Sequence, residues 1–508
     1  MRYDEKILAL PVIETPDSLP ERGIISNDLA LKALEKRVLR KTDMVILPMV
    51  LNRCASYSSF SVSMPQERSI VEINPSSDLD KQSLSYASVY GLITDLHLHG
   101  TQYSWTSSMF YVGQLVSEFP CMYLMSRLPL TKFIGCTIIV WGAICMCLAA
   151  PTTYGGFLAV RFCLGMAEGA VSPAFITITS MWYKKNEHPL RIGCWISCNA
   201  LAQVIGSLLM YGIGQHNTSS IAAWRLMFII CGVLTSVTGV VFVFIMPSGP
   251  ETAWFLTPEE RLAAGRRLAS QHDGGDKTNF SMAQLKEAAF DFNAYAAFAF
   301  GVLVTAPSIV LTFASLIIKE LGYTSGATLL YGSPSGAVQL VAIWIGIIAC
   351  QIWPNRRCVI TICLIAIPFT GCIMLLVLPE RGWPVIVGAW LGCCISSIFS
   401  LTMTLNASNV RGNTKKSVIN TLYFIGYCAG CIAFPQLWTS YAAPRYLAGV
   451  IVSIAAWGVL VFLMLLYWSH ASRQNKKRDR LQSESQVALY EPGQDVTDKQ
   501  DMTFRYST

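Results

Sequence analysis

Nine stretches of this chain run for at least 18 residues without a charged side chain: approximately 133–150, 192–214, 226–246, 294–318, 327–353, 358–378, 383–405, 417–438 and 446–468. A helix needs about 20 apolar residues to cross hydrocarbon, so each stretch reads as a membrane span. Two more, 104–125 and 155–181, are as long but carry charge. Eleven spans are therefore legible, and a twelfth is needed before residue 104. Composition agrees: only 14% of the 508 residues are charged, against roughly 25% in soluble domains. A disordered chain, a coiled coil and an ordinary cytosolic enzyme are excluded.

The one long internal connection, 247–293, is polar and divides the spans into two sets of six. The reading is an all-α membrane protein: a tail (1–42), a first bundle (43–246), a central loop (247–293), a second bundle (294–468) and a disordered tail (469–508). Within the central loop, Thr257 and Glu260 have the spacing of a capping box. The short loops 126–132, 182–191, 354–357 and 406–416 hold ten basic residues, among them Arg127, Lys132, Arg191, Arg411 and Lys415. The alternate connections hold four: Arg225, Lys319, Arg381 and Arg445. Positive loops stay on the cytosolic side, so both tails and the central loop are expected there, with the plasma membrane as the location. The net charge of +7 then faces the inner leaflet of a lipid bilayer, and nucleic acid is not expected as a partner. Seventeen cysteines lie scattered in apolar runs, where they read as small packing residues and not as disulfide or metal ligands. Asn217 opens an Asn-Thr-Ser glycan acceptor, too close to the membrane for occupancy to be expected.

The first span is damaged. Residues 44–51 begin like a helix, but the stretch from Asn52 is polar and proline-containing, and helical character resumes only at Leu79. Such a segment cannot cross hydrocarbon with its backbone groups satisfied. Residues 52–78 are read as an anomalous insertion, either a retained intron or a true extracellular or re-entrant segment.

Ionisable residues at bilayer depth are costly and mark function by default. They fall in the N-terminal half: Asp80 and Lys81 in the remnant of span 1, Glu118 in span 2, and Arg161 and Glu168 in span 4. Seven residues at about 100° each return Glu168 to the face of Arg161, roughly 10 Å along the axis. A cation and an acid so placed can hold a carboxylate and titrate a proton; the alternative is a salt bridge that only positions helices. The C-terminal half offers neutral groups: Gln339, Asn406, Asn409, Asn420, Tyr423 and Tyr427. Singly each suits a helix–helix hydrogen bond; together they suit the polar wall of a cavity.

The string from Arg161 to Arg191, RFCLGMAEGAVSPAFITITSMWYKKNEHPLR, resembles the span-4 signature of the anion:cation symporter family within the major facilitator superfamily. QYSWTSSMFYVGQLVSEFP at Gln102–Pro120 resembles that family's span 2, and GYCAGCIAFPQLW its span 11. LDKQSLSYAS at Leu79–Ser88 is similar to the end of span 1 in the fungal allantoate permease subgroup. The resemblance implies two six-helix bundles rocking around a central site. It implies that Lys81 and Arg161 hold a substrate carboxylate while Asp80 and Glu168 carry protons; by their place in the spans, Asn406, Asn409, Asn420 and Tyr423 are candidate substrate ligands, and Glu118 is a further proton carrier or a structural partner. Arg127, Lys132 and Arg191 stand where the superfamily places its gate, although SRLPLTK lacks that motif's glycine and aspartate. Span 5 lacks the glycine-proline motif of drug antiporters, and Cys431 stands where the family often has asparagine.

The expected function is proton-coupled import of a small organic anion, such as a ureido acid, a vitamin-like carboxylate or a short peptide. No enzyme activity, metal or cofactor is expected beyond the proton gradient, and a monomer is expected. Export of an acidic secondary metabolite is the first alternative; a non-transporting sensor, or an inactive product of a faulty gene model, is the second.

Overall fold

The computed structural model describes residues 33–46, 54–55, 74–169, 174, 178, 181–183, 188–215, 221–269, 281–320, 322–353, 355–378, 382–437, 447–484 and 495–508. In the N-terminal half these form α1 (33–46), α2 (Ser76–Val89), α3 (Leu92–Asp95), α4 (Gln102–Arg127), α5 (Leu130–Cys147), α6 (Tyr154–Glu168), α7 (His188–Gln215) and α8 (Ala223–Ile245). The central loop holds α9 (Pro258–Ala269) and α10 (Met282–Ala289). The C-terminal half comprises α11 (Phe292–Thr305), α12 (Ile309–Glu320), α13 (Ser325–Gly332), α14 (Pro334–Ile352), α15 (Arg357–Val377), α16 (Trp383–Gly392), α17 (Ser396–Ser408), α18 (Asn413–Ala433) and α19 (Leu447–Glu484).

Among the described residues, eight helical segments are long and apolar enough to cross a membrane, or nine if α10 and α11, which meet at 65°, count as one. The segments α2, α4 and α6 fall outside that set. They are the three helices that carry Asp80 and Lys81, Glu118, and Arg161 and Glu168. As described, α2 and α6 are shorter than a full span, and α12 of the C-terminal half falls outside the set as well.

Small residues let the helices approach closely, as packing between spans favours. A Cβ at Gly165 of α6 would overlap the Phe110 carbonyl of α4, and one at Gly113 of α4 would overlap the Phe162 carbonyl of α6. Gly301 and Gly426 play the same part between α11 and α18, meeting the backbones at Tyr423 and Phe298. Cysteines behave as packing residues: Cys145, Cys231, Cys358, Cys372, Cys393 and Cys428 are buried among apolar side chains and, like the other described cysteines, remain thiols.

The halves meet through α2 against α12, α4 against α18 and α7 against α14. Toward the face opposite the chain ends, Lys319 Nζ donates to the Val89 carbonyl (2.8 Å) and the Ser325 hydroxyl donates to the same oxygen (3.0 Å). There too, Gln436 Nε2 donates to Ser108 Oγ (2.9 Å), which donates to the Ile432 carbonyl (2.9 Å). That face is bridged.

Three boundaries are corrected. The division between tail and first bundle at residue 42 falls inside α1, because Val38 and Ile46 are buried against Ile134, Trp182, Met246 and Leu256. Lys41 also pairs with Glu260 of the central loop (2.8 Å). The second bundle does not end at 468, since α19 continues to Glu484. Nor is the C-terminal tail disordered throughout: residues 495–508 pack onto the C-terminal half, with Thr497 and Asp498 fully buried. Polar composition suggested a solvated tail; partners distant in sequence bind it instead. Of the insertion 52–78, most lies outside the described residues; Cys54–Ala55 pairs antiparallel with Asn74–Pro75, bringing its two ends together. The capping box is as expected, with Thr257 N donating to Glu260 Oε2 (3.0 Å) and Glu260 N to Thr257 Oγ1 (3.3 Å).

Candidate substrate and proton site

Helical spacing puts Arg161 and Glu168 on one face of α6, and both are buried, at 2% and 1% exposure. The guanidinium carbon of Arg161 lies 5.7 Å from the Phe157 ring centroid and 5.9 Å from that of Phe228. Phe228 and Trp224 meet Phe157 edge-on, at 6.2 Å and 6.4 Å. A cation over aromatic faces keeps attraction after losing water, which makes a buried arginine tolerable at this depth.

Glu168 lies about two turns further along the same face. Gly113 against the Phe162 carbonyl and Gly165 against the Phe110 carbonyl set α4 close to α6, and Tyr111 lies within electrostatic range of the Glu168 carboxyl. Hydrogen-bonding neighbours of the Tyr111 hydroxyl are Tyr427 and Cys431 of α18, and the Tyr111 and Tyr427 rings stand edge-on at 5.9 Å. A buried acid in the N-terminal half is thereby linked through one phenol to the C-terminal half. Sequence reading missed Tyr111; its pairing with span 11 depends on how the halves dock.

Glu118, on α4 two turns from Tyr111, is buried at 5% exposure. Asn406 on α17 is buried at 2%, and neither its amide nitrogen nor its oxygen has a hydrogen-bond partner among the described residues. Such a group costs free energy unless something else bonds it, which keeps Asn406 a candidate ligand. Asn420 is half-buried on α18. Tyr423 is turned into its own half, its hydroxyl 2.9 Å from Thr402 Oγ1 and 3.2 Å from the Phe399 carbonyl. Asn409 is corrected: its amide donates to Tyr467 Oη (3.0 Å) and the Ser507 carbonyl (2.9 Å), committed to the tail and not to a cavity. Arg127 and Lys132 are exposed at adjacent helix ends, Arg127 lying 5.6 Å from the Tyr123 ring. Asp80, Lys81 and Arg191 lie on described helices, but their side chains, like the whole of Asn217, lie outside the described residues.

A small cleft lies between the halves. Its N-terminal wall is Ser85 and Tyr86 of α2 with Gln203 of α7; opposite stand Ser315, Ser335 and Trp390. Gln203 Nε2 donates to Ser335 Oγ across the gap (2.7 Å). Ser85 Oγ, fully within the fold, has no hydrogen-bond partner among the described residues. Tyr86 belongs to the same buried apolar cluster as Phe157 and Phe228. No charged side chain lines the cleft. Gln203 was the available sequence signal, an amide in an otherwise apolar span.

Residues 76–435 match the family model described as Major Facilitator Superfamily. An uncharacterized transporter of Schizosaccharomyces pombe is 33% identical, covering 99% of this chain and 93% of the relative. The allantoate permease of Saccharomyces cerevisiae is 30% identical over 84% of this chain and 82% of its own length. A thiamine pathway transporter of the same yeast is 29% identical, covering 95% of this chain and 88% of its own length. Among solved structures, a bacterial homologue of the human lysosomal transporter Spinster superposes with a TM-score of 0.56 at 13% identity, covering 85% of this chain and 96% of that one. The Escherichia coli xylose transporter XylE gives 0.57 at 10% identity, with 84% and 99% covered. These structures share the fold alone. With its paired helical halves, buried ionisable groups and family match, the chain is a multi-pass membrane transporter that belongs to the major facilitator superfamily, in its allantoate permease-like branch.

Proposed function

We propose that this transporter imports a small organic anion together with a proton, with allantoate or a related ureido acid as the first substrate class. The observation that carries the reading is a buried arginine and a buried glutamate on one face of α6. Arg161, with Lys81 as a second cation, holds the carboxylate. The neutral wall of Ser85, Gln203, Ser315 and Ser335 supplies the donors and acceptors that a ureido group needs. Glu168 binds the coupled proton, with Asp80 and Glu118 as further carriers. Tyr111, between Glu168 and Tyr427, passes the change in charge to the C-terminal half. An ionised carboxylate at this depth is costly and a protonated one is not, so proton and substrate anion enter together and leave together.

The basic loops favour a cytosolic tail face in the plasma membrane, with each monomer acting alone. Uptake of radiolabelled allantoate into yeast lacking its own permease is the test. Accumulation that rises at acid external pH and collapses with an uncoupler is expected. Accumulation indifferent to the uncoupler removes the proton, and accelerated loss of preloaded label makes the protein an exporter.

A further inference from the structure

Residues 495–508 occupy a groove between α10, the α17–α18 turn and α19. Asp498, fully buried, pairs with Lys415 Nζ (2.7 Å), which also holds Glu287 (2.8 Å) and Asp291 (2.6 Å). Asp495 Oδ1 accepts from the Asn413 amide (2.8 Å), and Gln284 Oε1 accepts from the amides of Thr414 (3.0 Å) and Lys415 (3.2 Å). A tail residue and a central-loop residue thus satisfy the free donors at the start of α18, which a helix N-terminus must place somewhere. Gln284 Nε2 in turn donates to Asp495 Oδ2 (2.9 Å). On the other side, Arg478 of α19 donates to the carbonyls of Asp498 and Phe504, both at 2.6 Å.

We propose that residues 495–508 are a detachable strap, an acidic peptide ligand held in cis, whose release frees the tail-face end of α18. Two features make release possible without collapse. The segment is held by polar groups, Val496 being its buried apolar side chain, and water can replace polar partners. Lys415 also keeps Glu287 and Asp291 when Asp498 leaves, so it is not left without a carboxylate, and Arg478, whose strap partners are neutral, gains water. The strap brings its own counter-charge, Lys499, 3.3 Å from Asp291, so its departure removes an acid and a base together. The freed helix is the one that carries Tyr427 to Tyr111. The device is independent of which substrate is carried.

Trypsin tests this on the purified full-length protein, cutting after Lys499 and Arg505. Cleavage at least tenfold slower than in a synthetic peptide of residues 491–508, yet faster than global unfolding, is expected. Cleavage as fast as in the peptide means no docking, and cleavage limited by global unfolding means a permanent anchor; either overturns the proposal. A second arm stops the chain after Glu484 and follows hydrogen exchange in residues 411–418. About tenfold faster exchange there, reversed by adding the peptide, is expected with residues 134–145 unchanged; exchange unaltered by truncation refutes the strap. Should the shortened chain not fold, the wild-type cleavage rates decide.

Discussion

The ammonium of Lys319 lies 2.8 Å from the carbonyl oxygen of Val89, closing the last turn of α2 with a charge from the opposite half. Because α2 is followed by Gly91 in the left-handed region (φ 100°), its final carbonyls need such a partner. A hydrogen bond to a charged donor contributes about 1.5–3 kcal/mol. Lys319→Met should therefore move the population about tenfold or more toward separation of the halves at that face. Faster hydrogen exchange in residues 88–95 and 318–328, with the tail face unchanged, is the expected reading.

Glu168 and Arg161 share a helix face but do different work. Glu168→Gln should retain binding and lose the pH dependence of uptake, because the neutral amide mimics the protonated acid. Arg161→Ala should abolish uptake and binding together. Uptake by Glu168→Gln that still rises tenfold at acid external pH would show that its proton belongs elsewhere.

The cleft's contribution is affinity. Gln203→Leu removes the bond to Ser335 and a polar group from the wall; losing one such contact costs about 1 kcal/mol. KM should rise by roughly fivefold to tenfold with the uncoupler sensitivity intact, as measured by initial-rate uptake.

Acid should undock the C-terminal segment. Burial raises the pKa of Asp291, but Lys415, the Asn293 amide and Lys499 outweigh it and hold the group below its ordinary value of 3.8. Asp501 is held low in the same direction, burial being outweighed by Thr503 and Arg411. Carboxylates with depressed pKa values contribute stability above the ordinary value and lose it as pH falls through the lowered one. Glu287, Asp498 and Asp495 face the same site, with Lys415, Lys499, Arg411, Arg478 and His470 as the neighbouring cationic or titratable groups. Tail cleavage by pepsin, measured relative to the free peptide 491–508 at each pH, should accelerate as pH drops below about 3.8, and Asp501→Asn should be cut faster by trypsin at neutral pH.

The capping box offers a stability check remote from the site. Thr257→Ala should cost about 1 kcal/mol, read as a lowered midpoint of thermal unfolding, with transport at moderate temperature unaffected.

Local and periodic features were legible in the sequence. The apolar runs located the long helices, Thr257 and Glu260 announced the start of α9, and Arg161 with Glu168 predicted a shared buried face. What could not be read was pairing across long separations. Lys415 looks like a basic loop residue, yet it is buried in the first turn of α18, because its three carboxylates come from residues 287, 291 and 498. Asn409 looked like cavity lining for the same reason: its partner Ser507 lies 98 residues away. Tyr111 gave no signal at all, since an aromatic in an apolar helix is ordinary until its neighbour is known.

The span-borne ionisable residues read as functional lie on α2, α4 and α6, all in the N-terminal half. A charged side chain adds about 2.5–3.5 kcal/mol to the insertion of an isolated helix near its centre. Those three segments therefore gain from one another and from α5 and α8 in staying in the bilayer, whereas α15, α18 and α19 are apolar enough to enter singly. Biogenesis is consequently lopsided: the half synthesised first carries the charged spans, and its assembly waits on contacts such as Gly165 against the Phe110 carbonyl that only neighbours can supply.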